Sequence, residues 1–141
     1  MIKYNNIKTN YVMLILSFLF NSCVPDDQTD YLFELLPVES VEIPTEFTMG
    51  EVYQIKMYYR RPTTCHFFNT IYYNKDLNIR TVAIESAVKQ VSDCQELTED
   101  NLVECSFNFE VTSNGSYVFK FWQGQNDQGE NIFLEYEIPV V

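Results

Sequence analysis

Cys65, His66, Cys94 and Cys105 are the residues best suited to bind a metal ion or to act as a nucleophile. Thiolate and imidazole groups are common zinc ligands, and a Cys–His pair can form a catalytic dyad. The spacing opposes both uses: the chain has no C-x-x-C and one histidine, and neighbouring residues of a strand project to opposite faces. We therefore expect no zinc and no catalytic residue, and we predict that His66 is an ordinary surface or strand-edge residue.

Carboxylates are the other source of chemistry, as acid–base pairs or as calcium ligands. They are scattered over outward strand positions and loops, which is typical of solvated faces rather than of a hydrolase. Two loop clusters contain several acids, residues 93–100 and the turn 126–130, but neither has the pattern of an EF-hand loop. Calcium therefore stays the alternative to a prediction of no cofactor, and we predict that the chain is not an enzyme.

The N-terminus has the pattern of a bacterial lipoprotein signal that ends at Cys23. Lys3 and Lys8 precede an apolar run over residues 11–20, which is too short for the roughly 18 residues of a membrane-spanning helix. Residues 19–23 resemble the relaxed lipoprotein cleavage box of the Bacteroidetes. We predict a signal peptide over residues 1–22 and acylation (diacylglycerol, palmitate) of Cys23; the alternatives are a transmembrane anchor and ordinary secretory cleavage.

Residues 23–35 are predicted to be a short acidic tether. Asp26 and Asp27 resemble the export signal that carries flavobacterial lipoproteins to the cell surface; the alternative is a solvated linker. The seven residues 24–30 reach about 25 Å at most when they are extended, so the domain is expected to lie close to the bilayer. We predict an outer-membrane lipoprotein at the cell surface, with the periplasmic face as the alternative.

The charge of the chain excludes two classes of partner. After removal of residues 1–22, seven basic side chains stand against 20 acidic ones, a balance of −13. Nucleic-acid binders need a positive footprint, and anionic lipid repels such a surface. Beyond the lipid anchor, a protein or a glycan is therefore the expected partner.

The mature chain alternates apolar and polar residues with the period of a β-strand. Phe and Tyr are abundant and favour pleated, half-buried surfaces. Asn114-Gly115 predicts a hairpin over residues 103–122. The pattern favours one domain over residues 36–141, an all-β antiparallel two-sheet sandwich, immunoglobulin-like, with about seven strands, near 36–43, 53–59, 65–73, 80–88, 103–111, 117–122 and 132–138.

Three cysteines remain once Cys23 is acylated, and an exported chain can oxidise them. Cys105 lies among apolar residues of a strand, whereas Cys65 begins a strand and Cys94 lies in a polar loop. We predict a Cys65–Cys94 disulfide, which would contribute roughly 3.5 kcal/mol by closing a loop of about 30 residues. Cys94–Cys105 is the alternative pairing.

Surplus aromatic side chains are the best indication of a binding surface. If Phe119 and Phe121 point inward, Trp122 points outward, and three further aromatic residues lie opposite the expected core faces of their strands: Tyr58, Phe68 and Tyr72. Exposed aromatic patches often contact a partner or a sugar. The alternative is that loops cover these side chains.

The chain resembles small flavobacterial lipoproteins with an immunoglobulin-like domain. The resemblance rests on the signal, on RPTTCH at 61–66, on Cys94 and on GSYVFKFWQG at 115–124. These motifs belong to no characterised activity, so the resemblance implies compartment and architecture only. We predict a non-catalytic binding module; a structural component of an envelope complex is the alternative, and a small hydrolase is third.

Overall fold

The computed structural model describes residues 29–141, which form eight strands. The predicted signal peptide, Cys23, Asp26 and Asp27 lie outside the described residues. Within residues 29–141, no helix is long and apolar enough to cross a membrane. The strands are β1 Tyr31–Leu36, β2 Val38–Glu42, β3 Val52–Arg60, β4 His66–Asp76, β5 Ile79–Lys89, β6 Leu102–Glu110, β7 Tyr117–Gln125 and β8 Asn131–Ile138.

The strands form two sheets, which confirms the predicted all-β two-sheet sandwich. Sheet I contains β1, β4, β5, β7 and β8, and sheet II has the order β2-β3-β6. In sheet I, β4 lies on one side of β5, while β1 and β7 share the other side at different positions along it. The pairing of β5 with β7 is parallel, which departs from the purely antiparallel prediction.

The first strand begins at Tyr31, before residue 36 where the sequence analysis places the start of the domain. Pro37 separates β1, which pairs with β5 in sheet I, from β2, which pairs with β3 in sheet II. Proline lacks the N–H that a continuous ladder requires, so the chain changes sheets at this residue. The pattern YLFELL lacks period-two alternation, so alternation alone does not predict β1.

The core lies between the sheets and follows the predicted alternation. Its members come from the inward positions of both sheets and include a cluster of aromatic rings around Phe47. Inward positions of β3 and β7 are buried as expected, whereas their neighbours reach the outer faces. The fully buried side chains of these two strands are Ile55, Met57, Tyr59, Tyr117, Phe119 and Phe121.

The predicted hairpin at Asn114-Gly115 is wrong. The strand before it, β6, pairs with β3 in sheet II, and the strand after it, β7, pairs with β5 and β8 in sheet I. The segment therefore arches from one sheet to the other, and Phe109 packs on Tyr117 across the core with ring centroids 4.9 Å apart. Each of the two strands has an apolar face, and packing of sheet I on sheet II buries both of these faces.

The predicted Cys65–Cys94 disulfide is present, with the two Cα atoms 5.5 Å apart. It fixes the loop between β5 and β6 to the start of β4, where Thr64 N–H also donates to the Gln95 carbonyl at 2.9 Å. Cys105 is a free cysteine that packs against the core.

Candidate functional site

The outer face of sheet I carries a row of exposed aromatic rings around β5. Ala87 pairs with Phe33 of β1 on one side and with Phe67 of β4 on the other. Directly paired residues lie on the same face of a sheet, so the two rings flank this small side chain. Phe33 is 61% exposed and Phe67 46%.

A second row lies further along the same face. Tyr72 of β4 pairs with Ala83 and is 51% exposed. The last pair between β5 and β7 is Val82 with Phe121, so one further residue brings the half-buried Trp122 beside Ala83. Trp122 itself pairs with Phe133 of β8. We call Phe33, Phe67, Tyr72 and Trp122, with Ala83 and Ala87 between them, the aromatic face.

The dimensions of the aromatic face follow from strand geometry. The strands on either side of β5 are two interstrand spacings apart, about 10 Å. Ala83 and Ala87 are four residues apart on one strand, which corresponds to about 13 Å. The open space lies at Ala87, because Ala83 is only 2% exposed and is already covered by its neighbours. An elongated ligand that runs along β5 would therefore contact Phe33 and Phe67 beside Ala87 and the exposed parts of Tyr72 and Trp122.

Polar groups at the aromatic face are already paired. Glu85 lies between the two alanines and accepts a hydrogen bond from Asn69 Nδ2 at 2.6 Å. Trp122 Nε1 donates to Asn131 Oδ1 at 3.0 Å, which fixes the indole ring. Lys120 contacts Glu135 Oε1 at 3.0 Å. Trp122 is thus held in position, and the Arg61 guanidinium already lies 5.6 Å from the ring centre of Phe67. Stacking on the remaining exposed ring surface is the contact that the face leaves open.

Tyr58 does not join the aromatic face, because it lies on the outer side of sheet II. Its hydroxyl is 2.6 Å from Glu42 Oε1 and 3.1 Å from Glu104 Oε2. The hydrogen bond to Glu42 raises the pKa of Tyr58, because the protonated phenol is the donor. Tyr58 therefore links three strands of sheet II rather than completing a site with Trp122.

Phe68 also lies apart from the aromatic face. It pairs with Ser86, which alternates with Ala87 and so projects to the core side of sheet I. The ring is nevertheless 48% exposed. A register shift between Phe68 and Thr70 interrupts the alternation of β4, so Phe67 takes the outward position that the sequence analysis gave to Phe68. A bulge of this kind leaves no clear signal in an apolar run such as CHFFNTIYY.

His66 lies on the edge strand β4, as one form of the prediction states, but it is buried at 8% exposure and is not a surface residue. Its Nε2 lies 2.7 Å from Glu34 Oε1 and its Nδ1 lies 2.8 Å from Thr63 Oγ1. The order hydroxyl, imidazole, carboxylate is that of a hydrolase triad. Here the Thr63 hydroxyl also accepts a hydrogen bond from the Cys65 N–H at 3.1 Å, which is the side-chain-to-backbone bond of an ST-turn. The contact between His66 and Glu34 therefore links β4 to β1, which lie on opposite sides of β5.

The turn 126–130, one of the two acidic segments considered for calcium, uses its side-chain oxygens for internal hydrogen bonds. In the turn after β7, Asn126 Oδ1 accepts the backbone N–H of Gln128 and of Glu130, and Asn126 Nδ2 donates to Glu130 Oε2 at 2.8 Å. Residues 29–141 hold no group of three or more His, Cys, Asp or Glu side chains placed to bind a metal ion.

The aromatic face is thus the arrangement of described residues best suited to contact a ligand. Alternation in the sequence predicts Trp122 and Tyr72 but not Phe33 and Phe67, whose common partner Ala87 is a small outward-facing residue of β5. Such a gap is a usable signal once the strand order is known. No family model, no curated protein and no solved structure matches this chain.

Proposed function

We propose that this chain is a lipid-anchored envelope lipoprotein that acts as a non-catalytic binding module. Acylation of Cys23 would hold it at the outer membrane, with the domain at the cell surface. The aromatic face would be the contact surface for its ligand, a glycan or an extended segment of a protein partner. The observation that carries the proposal is the pairing of Ala87 with two exposed phenylalanines, Phe33 and Phe67.

The shape of the aromatic face supports a ligand that binds by stacking. Rings with strong exposure on both sides of a small residue are costly to leave in water, and each large apolar side chain contributes roughly 1.5–3 kcal/mol when it is fully buried. Glu85 and Asn131 are occupied by neighbouring side chains. Apolar and aromatic contact, rather than ion pairing, is therefore expected to provide the affinity.

Trp122 makes the proposal directly testable, because it is the only tryptophan of the chain. We expect its fluorescence to shift or to be quenched when a ligand stacks on the aromatic face. The titration would use soluble oligosaccharides and, separately, solubilised envelope proteins captured by the immobilised domain. Tyr72→Ala removes one ring of the face and is expected to weaken binding at least about tenfold, as stacking contacts do.

Tyr58→Phe is the matched control, because it alters an outer-face tyrosine of sheet II. The proposal requires that this variant bind as the unaltered protein does and that Tyr72→Ala keep its melting temperature. Equal binding by all three proteins would refute the aromatic face as the contact surface. Stable co-purification with one membrane protein that survives Tyr72→Ala would instead favour a structural role in an envelope complex.

A further inference from the structure

A cleft opens at the side of the sandwich where both sheets end in a free strand. Here β4 is the edge strand of sheet I and β6 that of sheet II. The cavity between them is about 450 Å³, within the range of small-molecule sites. Its walls are Ile71, Tyr73, Phe107 and Phe109, and its polar groups are Lys75, Arg80, Asn108, Glu110 and Thr112.

Arg80 is the unusual member of this cleft. It belongs to the inward-facing positions of β5 and is only 4% exposed. Nη1 donates to the carbonyls of Leu77 and Ile79, at 2.8 and 2.9 Å. The guanidinium carbon lies 5.0 Å from the ring centre of Tyr117 and 6.0 Å from that of Phe109. The side chain is therefore held rigidly at the inner end of the cleft.

The charge of Arg80 lacks a carboxylate partner within residues 29–141. The ion pairs of that part of the chain involve Lys56, Arg60, His66 and Lys120 instead. Carbonyl contacts and ring faces offset part of the cost of burying a cation, but a guanidinium has five donors and only Nη1 is used in this way. A carboxylate is the group that complements the remaining donors with good geometry.

We propose that the cleft binds a small organic acid, with its carboxylate on Arg80 and its apolar body packed against the exposed sides of Tyr73 and Phe107. These two rings already form an edge contact with centroids 5.7 Å apart. Tyr73 lines the cleft together with Arg80, and its oxygen faces the guanidinium as an acceptor, which leaves its O–H to donate to the same carboxylate. Lys75 and Glu110 also line the cleft and carry opposite charges, so the cleft has a net charge of about +1 from Arg80, which a monoanion balances.

This site is separate from the aromatic face and does not rest on the proposed function. Tyr72 and Tyr73 are neighbours on β4 and therefore project to opposite sides of sheet I. A ligand of the cleft would contact the edge of the sandwich, whereas a ligand of the aromatic face would contact its outer surface. The two proposals can therefore fail independently.

The test compares an acid with its neutral isostere on the unaltered cleft. The exported chain would carry Cys23→Ser, which prevents acylation and changes no described residue. Backbone amide NMR spectra would be recorded during titration with 3-phenylpropionate and, separately, 3-phenylpropionamide, each to about 20 mM, because a ligand of this size is expected to have a millimolar dissociation constant. We expect shifts confined to residues 71–75, 80 and 107–112, with the acid binding at least about tenfold more tightly than the amide.

The absence of shifts, equal binding of acid and amide, or acid-dependent shifts centred elsewhere would each overturn the proposal. Tyr73→Phe removes only a hydroxyl from a partly exposed ring and is expected to weaken the acid about threefold to tenfold. Arg80→Gln is expected to abolish the preference for the acid. If Arg80→Gln does not fold, the acid–amide comparison on the unaltered cleft decides the question.

Discussion

Tyr117 is expected to stabilise the arch between the two sheets through its hydroxyl. The ring is 1% exposed, and its Oη accepts the backbone N–H of Thr112 at 3.1 Å and of Ser113 at 2.9 Å. Tyr117→Phe keeps the ring contacts with Phe109 and Arg80 and removes only this acceptor. Each hydrogen bond contributes about 0.5–1.5 kcal/mol. Since Thr112 and Ser113 are exposed and water can reach them, we expect a loss of about 1–2 kcal/mol.

Urea unfolding and thermal melts would measure this loss. For a domain of this size, 1–2 kcal/mol corresponds to a decrease in melting temperature of roughly 4–10 °C. Tyr53→Phe is the matched control, because its hydroxyl accepts a single backbone N–H, from Thr48 at 2.9 Å, at an exposed turn. The m-value is expected to stay the same for both variants. If Tyr117→Phe loses no more stability than Tyr53→Phe, the hydroxyl does not hold the arch and the reasoning is refuted.

Three further predictions concern the cysteines and His66. Replacing Cys65 and Cys94 with alanine is expected to lower the free energy of unfolding by about 3.5 kcal/mol and to make it insensitive to reductant, as urea titrations with and without dithiothreitol would show; an unchanged midpoint would contradict this. Burial raises the pKa of Cys105 to about 11 from 9.0, so the folded state keeps a proton that the unfolded state loses. Its contribution to stability is therefore complete below pH 9 and is lost as the pH rises to about 11, a decrease that Cys105→Ala should lack. Glu34→Gln weakens a contact of 2.7 Å to His66, and because Glu34 is half exposed we expect a loss of about 1 kcal/mol in a thermal melt; a neutral result would show that the pair does not fasten β1 to β4.

Much of the fold could be predicted because period-two alternation reports directly which side of a strand is buried. It identified the inward residues of β3, β6 and β7, and the loop position of Cys94 identified its pairing with Cys65. Strand β1 could not be found in this way, because Leu32 and Phe33 are both exposed and no alternation is present. Its place is set by pairing with β5, a contact between residues far apart in the chain.

The outcome at Asn114-Gly115 shows the limit of a local turn signal. The dipeptide favours a tight reversal of the chain, but a reversal can join strands within one sheet or strands of two sheets. Which of the two arrangements forms depends on which residues bury the apolar faces of the strands before and after the turn. Phe109 and Phe119 are in contact across the sandwich, with ring centroids 5.0 Å apart. In a two-residue hairpin Ser113 would pair with Ser116 and Phe109 with Lys120, so the rings of Phe109 and Phe119 would lie on opposite faces of the ladder and both faces would need a cover.

Only half of the aromatic face could be predicted, because a local sequence pattern does not give the order of the strands in a sheet. Trp122 and Tyr72 follow from alternation along their own strands, whereas the nearness of Phe33 to Phe67 depends on β1 and β4 lying on opposite sides of β5. Ala87 carries the missing information, because this small outward residue of a central strand leaves space between the two flanking rings, whereas Ala83 is already covered at 2% exposure. A bulky residue such as Leu at position 87 would fill the space between Phe33 and Phe67. If the aromatic face binds an elongated ligand, Ala87→Leu should lower its affinity without lowering the melting temperature, since Ala87 lies on the outer side of the sheet and not in the core.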